Sequence, residues 1–259
     1  MFYNLLFPLS DEFGPFNLFR YITFRTGGAI LTALTISFVI GPKLIRWLKA
    51  KQGEGQPIRS DGPETHFKKK GTPTMGGLMI LIAVIISTLL WADITNPYIW
   101  IVLMVTVGFG AVGFGDDYLK LTKRNPKGLN GRLKLIAQST LALIAAILIV
   151  LVTPEPLATK LAVPVFKNVL INLGIFFVFA AALVMVGASN AVNLTDGLDG
   201  LAIVPAMMAA ACFGFIAYLS GNINFSNYLQ IHYIPGTGEH PIGWFGLDGS
   251  LFSGQYPVG

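Results

Sequence analysis

Leu135-Ile136-Ala137-Gln138-Ser139-Thr140-Leu141-Ala142-Leu143-Ile144-Ala145-Ala146-Ile147-Leu148-Ile149-Val150-Leu151-Val152 runs from end to end without a charged residue. About 18 such residues at ~1.5 Å each approach the thickness of a bilayer's hydrocarbon core, so the stretch predicts a membrane-spanning helix. Read outward from it, five more apolar stretches have the same character, roughly Ile22–Leu44, Met75–Trp91, Tyr98–Phe114, Val169–Val186 and Leu201–Leu219. Helices satisfy their own backbone groups in hydrocarbon, where strands with open edges cannot. The predicted fold class is an all-α polytopic membrane protein with about six transmembrane helices.

Composition agrees. Hydrophobic residues make up 53% of the 259 and charged residues 12%, about half the ~25% usual in soluble domains. Mean hydropathy is +0.64. The net charge of +5 does not imply a nucleic-acid partner, because the basic residues fall between the spans. The single cysteine, Cys212, lies inside an apolar run and rules out an intrachain disulfide. MFYNLLFPLSDEF at the start lacks a basic leader and a small-residue cleavage site, so no cleaved signal peptide is expected. Residues 1–21, rich in aromatics, suit a segment at the membrane interface.

Charge fixes the expected orientation. The loop after the first span, about Ile45 to Pro73, carries Arg46, Lys49, Lys51, Arg59, Lys68, Lys69 and Lys70. The loop Gly115–Lys134 carries Lys120, Lys123, Arg124, Lys127, Arg132 and Lys134, whereas the alternate connections hold only Lys160 and Lys167. The positive-inside rule places both basic loops in the cytoplasm and the N-terminus outside. By parity the connection containing Asn190–Asp199 faces the cytoplasm too. Three polar segments are thus expected to converge on one composite site.

Each segment has a chemical reading and a bland one. Ser189-Asn190-Ala191-Val192-Asn193-Leu194-Thr195-Asp196-Gly197-Leu198-Asp199-Gly200 crowds amides and carboxylates between two apolar runs. Such groups at a membrane edge suit a divalent cation or a polar ligand, although a helix cap and turn also use Asn, Asp and Gly. Gly115-Asp116-Asp117-Tyr118 pairs two carboxylates that can bind Mg²⁺ or serve as base or nucleophile; the alternative is a solvated helix end. Lys120, Lys123 and Arg124 could hold phosphate oxygens. Asp61-Gly62-Pro63-Glu64-Thr65-His66-Phe67-Lys68-Lys69-Lys70-Gly71-Thr72-Pro73-Thr74-Met75-Gly76-Gly77 reads as a phosphate approach or as a basic cluster that sets topology. No second His or Cys stands at ligand spacing from His66. Gly108-Phe109-Gly110-Ala111-Val112-Gly113 matches a dinucleotide-binding pattern but lies inside a span without the strand that pattern needs, so close helix packing explains it better. The acids gather at one face and no inverted repeat is found, which argues against a transporter. Together the groups suit a Mg²⁺-dependent phosphoryl or phosphosugar transfer from a soluble nucleotide-linked donor to a lipid.

DGPETHFKKKGTPTMGG, GFGDDY and SNAVNLTDGLDGLA, in that order and spacing, resemble the polyprenyl-phosphate N-acetylhexosamine-1-phosphate transferase family, and within it the phospho-N-acetylmuramoyl-pentapeptide transferases. The likeness runs from about residue 16 to 238. It implies a Mg²⁺-dependent transfer of phospho-MurNAc-pentapeptide from its UDP donor to undecaprenyl phosphate, giving lipid I and UMP for peptidoglycan, at the bacterial inner membrane. A GlcNAc-1-phosphate donor is the alternative within the same family. By the resemblance Asp116 and Asp117 are the catalytic pair, with base and covalent roles both open. Asn193 and Asp196 lie nearest the metal, and Lys70, Thr74, Lys120, Lys134, Asn190 and Asp199 contact substrate. A homodimer is compatible with it. The resemblance also implies about ten spans, with a further metal-binding aspartate and a histidine-rich loop. Residues 239–259, EHPIGWFGLDGSLFSGQYPVG, do not continue it and are expected to be a frameshifted tail, which makes an inactive fragment a further alternative.

Overall fold

The computed structural model describes residues 1–52, 75–122, 128–155, 157–162, 170–195 and 202–234. Helix α1 (Phe2–Leu6) and two 3₁₀ segments, Phe7–Leu9 and Gly14–Arg20, lead into α2 (Ile22–Gln52). Then come α3 (Gly77–Trp91), α4 (Pro97–Thr122) and α5 (Gly131–Val152). A two-stranded antiparallel hairpin, β1 (Lys160–Ala162) and β2 (Leu170–Asn172), precedes α6 (Phe176–Thr195), α7 (Ile203–Ser220) and α8 (Ile223–Leu229). Helices α2, α4, α5, α6 and α7 are long and apolar enough to cross a membrane, and α3 is a shorter apolar helix. The chain is a multi-pass membrane protein, and its exposed Phe38, Leu151 and Leu183 are side chains that lipid would cover.

Neighbouring helices pack in chain order, α2 on α3, α3 on α4, α4 on α5 and α5 on α6. Helix α5 is the centre of this arrangement. Its Ala142, Ala145 and Ala146 are fully buried, and such small side chains let helix backbones approach closely. Ala142 packs with Ala182 and Val186 of α6, flanked by Phe109, Leu143 and Met185. Gly108 and Gly110 lie against Leu141 and Leu81, so the glycine-rich stretch of α4 serves helix packing.

Several expected boundaries shift. The loop expected from Gly115 begins instead as two further turns of α4, where Asp116 and Asp117 pair with Lys120 at i,i+4 and i,i+3. Pairs at those spacings stabilise a helix. The fifth span, expected at Val169–Val186, starts later and ends later, because Leu170–Asn172 pairs with β1. The Asn172 side-chain oxygen then accepts from Gly174 N–H at 3.0 Å and turns the chain into α6. Asn190 and Asn193 consequently stand on a helix rather than in a connection. Helix α2 continues to Gln52. At about 46 Å it exceeds a hydrocarbon core of about 30 Å.

The antiparallel order sorts the helix ends. At one end Tyr98 at the start of α4 donates to Thr153 just past α5, at 3.1 Å. The aromatic cluster of Phe2, Phe19 and Phe24 around Trp91, whose indole donates to Thr32 at 2.9 Å, joins the start of α2 to the end of α3. The other end gathers the end of α2, the starts of α3 and α5, and the ends of α4 and α6. Residues 239–259 lie outside the described residues.

Candidate active site at the polar end of the helices

Asp116 is fixed from two sides. Its Oδ2 meets Lys120 Nζ at 2.7 Å, and its Oδ1 accepts the Leu129 backbone N–H at 2.6 Å. Asp117 Oδ1 lies 3.3 Å from the same Lys120 nitrogen. One ammonium therefore bridges two carboxylates, and the positive charge of Lys134 acts on Asp116 as well. The two acids are not equivalent, because the Asp116 side chain is 15% exposed and that of Asp117 32%.

The return of the chain shapes this cluster. Gly128 has φ +60°, and a Cβ there would run into Asp116 Oδ1 and approach Lys120 Cε to 2.7 Å. Only glycine meets both demands without strain. Asn130 next caps α5, its side-chain oxygen accepting from Arg132 N–H at 3.1 Å. The segment that starts α5 is thereby tied to the carboxylate that ends α4.

Farther along its axis α5 holds the end of α6. Asn190 Nδ2 donates to Gln138 Oε1 at 2.9 Å and to Val186 O at 2.9 Å. Gln138 is 4% exposed, and its Nε2 lies 3.5 Å from Ser189 Oγ. Asn193 follows in the last turn of α6 and is exposed. Asn130 and Gln138 are about 12 Å apart along the axis of α5. The approach to α5 thus supports one polar cluster and its body the other.

Of the residues singled out in the sequence, Asp116, Asp117 and Lys120 form one contact cluster with Lys134 in its field. Asn190 and Asn193 belong to the α6 cluster at the same end of the helices. Lys70, Thr74, Asp196 and Asp199 lie outside the described residues. Gln138, Gly128 and the Leu129 amide escaped the sequence reading. Gln138 had a legible signal, since a primary amide inside an apolar run needs a partner; the other two act through backbone geometry. The donors present are oxygens of Asp and Asn, the chemistry that suits Mg²⁺. Among the described residues no three His, Cys, Asp or Glu side chains gather as a cation cluster. The fit is therefore one of donor type, from Asp117 and Asn193.

Two family descriptions match the chain. The glycosyl transferase family 4 profile matches residues 99–234. The phospho-N-acetylmuramoyl-pentapeptide-transferase signature 1 matches residues 69–81. The chain is 61% identical over 240 residues to a phospho-N-acetylmuramoyl-pentapeptide-transferase of Granulibacter bethesdensis, which covers 92% of this chain and 66% of that relative. The chain thus spans just under two thirds of the relative's length.

Proposed function

Because this chain belongs to glycosyl transferase family 4, we propose that it transfers phospho-MurNAc-pentapeptide from its UDP donor to undecaprenyl phosphate, releasing UMP and leaving lipid I in the bacterial inner membrane. The observation that carries this reading is the 61% identity to a transferase of that name across 92% of the chain. The carboxylate and lysine cluster at a helix end supports it chemically. The excess of Lys and Arg in alternate connections supports a cytoplasmic site and an outer N-terminus.

In the proposed reaction an oxygen of the lipid phosphate attacks the β-phosphorus of the donor, and the bond to the bridging oxygen breaks as UMP leaves. Lys134 and the other lysines of the same end offset the charge on the phosphates. Asp117, the more exposed carboxylate, takes the proton of the lipid phosphate where that group arrives protonated. Asp116 keeps Lys120 and the Gly128–Asn130 turn in place. Bound Mg²⁺, held by Asp117, Asn193 and Asp196, would supply electrostatic stabilisation of the transferring phosphoryl group.

Donor competition tests the reading. Detergent-solubilised chain, undecaprenyl phosphate and Mg²⁺ should release UMP from UDP-MurNAc-pentapeptide, and excess UDP-GlcNAc should leave the rate unchanged. Turnover of UDP-GlcNAc would reassign the donor. No UMP from either donor would overturn the reading.

A further inference from the structure

We propose that Gln138 is a positioning residue that fixes which face of the Asn190 amide the substrate site meets; the proposal rests on the transferase reading above. Val186 O is a main-chain carbonyl and can only accept, so the group 2.9 Å from it must be the Asn190 nitrogen. An amide nitrogen carries two hydrogens. Gln138 Oε1 takes the second at 2.9 Å. Asn190 is then left with Oδ1 as its remaining polar function, and that oxygen can only accept. Its ligand is therefore an electropositive group, either a hydroxyl or N–H of the nucleotide sugar or a water held by the cation.

Gln138 is suited to the task because it cannot turn away. It is 4% exposed within the apolar body of α5, and its own Nε2 faces Ser189 Oγ at 3.5 Å, one residue before Asn190. An apolar side chain there would fill the space but release the second Asn190 hydrogen. Held by Val186 O alone, the amide then keeps a free N–H that offers a donor where an acceptor is needed. Partners that orient metal-ligating side chains commonly change metal affinity or activity by about 10–100-fold when removed, and an effect of that order is expected here.

The test compares wild type, Gln138→Met, Gln138→Glu, Asn190→Ala and the Gln138→Met/Asn190→Ala double variant, each as the full chain, assayed for UMP release. With a nucleotide-sugar ligand, Gln138→Met raises the KM for UDP-MurNAc-pentapeptide about tenfold at saturating Mg²⁺. With a cation-bound water, the half-saturating Mg²⁺ concentration rises by a similar factor instead. In either case Gln138→Glu, which keeps an accepting oxygen, recovers most of the loss, and the double variant is no worse than Asn190→Ala alone. If Gln138→Met moves neither constant, or its loss persists undiminished in the Asn190→Ala background, Gln138 only packs and the proposal fails. A wild type that releases no UMP overturns the transferase reading and the substrate half of this one. The Gln138–Asn190 link is then judged by melting temperatures. A double variant that melts no lower than Asn190→Ala supports the link, and additive losses overturn it.

Discussion

Gly128 is where one methyl group should do the most damage. Alanine would occupy φ +60° and meet Asp116 Oδ1 and Lys120 at once. The left-handed backbone alone costs about 1–2 kcal/mol, and the displaced carboxylate would release the Leu129 amide and Lys120. We expect Gly128→Ala to lower UMP release at least about tenfold, whereas Gly131→Ala, which meets nothing within 4 Å, should leave it within about twofold. Equal rates in the two variants would show that the Asp116 geometry does not matter to turnover. Asp93, in the turn between α3 and α4, carries a pH prediction. Burial alone would raise its pKa, but hydrogen bonds from Thr95 and Asn4 and the charge of Arg25 outweigh burial and bring it below the usual aspartate value. A carboxyl depressed on folding stabilises above its unfolded pKa, and that contribution is lost as pH falls through the folded one. The difference in melting temperature between wild type and Asp93→Asn should therefore be full above about pH 4 and close on further acidification. A difference that does not change with pH would contradict it.

At the scale of the helices, α5 decides the assembly. Ala142 is fully buried against Ala182 and Val186, so Ala142→Leu should overpack the α5–α6 contact and destabilise it by about 1–3 kcal/mol. Leu151→Ala, on a side chain 74% exposed, should change stability by no more than about 0.5 kcal/mol. Thermal unfolding in one detergent checks both, and a neutral Ala142→Leu would show the contact to be loose. The six apolar stretches were legible because a missing charge over about 18 residues is a strong local signal. Their ends were less so. The charged turns of α4 read as loop because polarity marks where the membrane stops, not where the helix does. The start of α6 was obscured because Leu170–Asn172 continues the apolar character of the span while pairing as a strand with Lys160–Ala162. At the site, Asp116, Asp117, Lys120 and Asn190 stood out as polar groups beside apolar runs. The Leu129 amide could not stand out, since every non-proline residue carries one.

For the whole molecule, antiparallel packing turns segments far apart in sequence into one polar end. Asp116 and Asn190 arrive there on α4 and α6, the first held by Leu129 just ahead of α5 and the second by Gln138 on it. Helix α7 is built otherwise, with its main contacts to α8 and most of its surface exposed. The proposed reaction is phosphosugar transfer onto a lipid at this end. The most direct measurement is transfer of label from UDP-MurNAc-pentapeptide into the lipid-extractable fraction, with undecaprenyl phosphate, with and without Mg²⁺, by wild type, Asp117→Asn and Asn190→Ala. Wild type should give Mg²⁺-dependent labelled lipid, Asp117→Asn about 100-fold less or lower, and Asn190→Ala a smaller loss that added donor or added Mg²⁺ partly restores. Label that never enters lipid in wild type, or enters it equally in Asp117→Asn, would rule out the proposed transfer at this site.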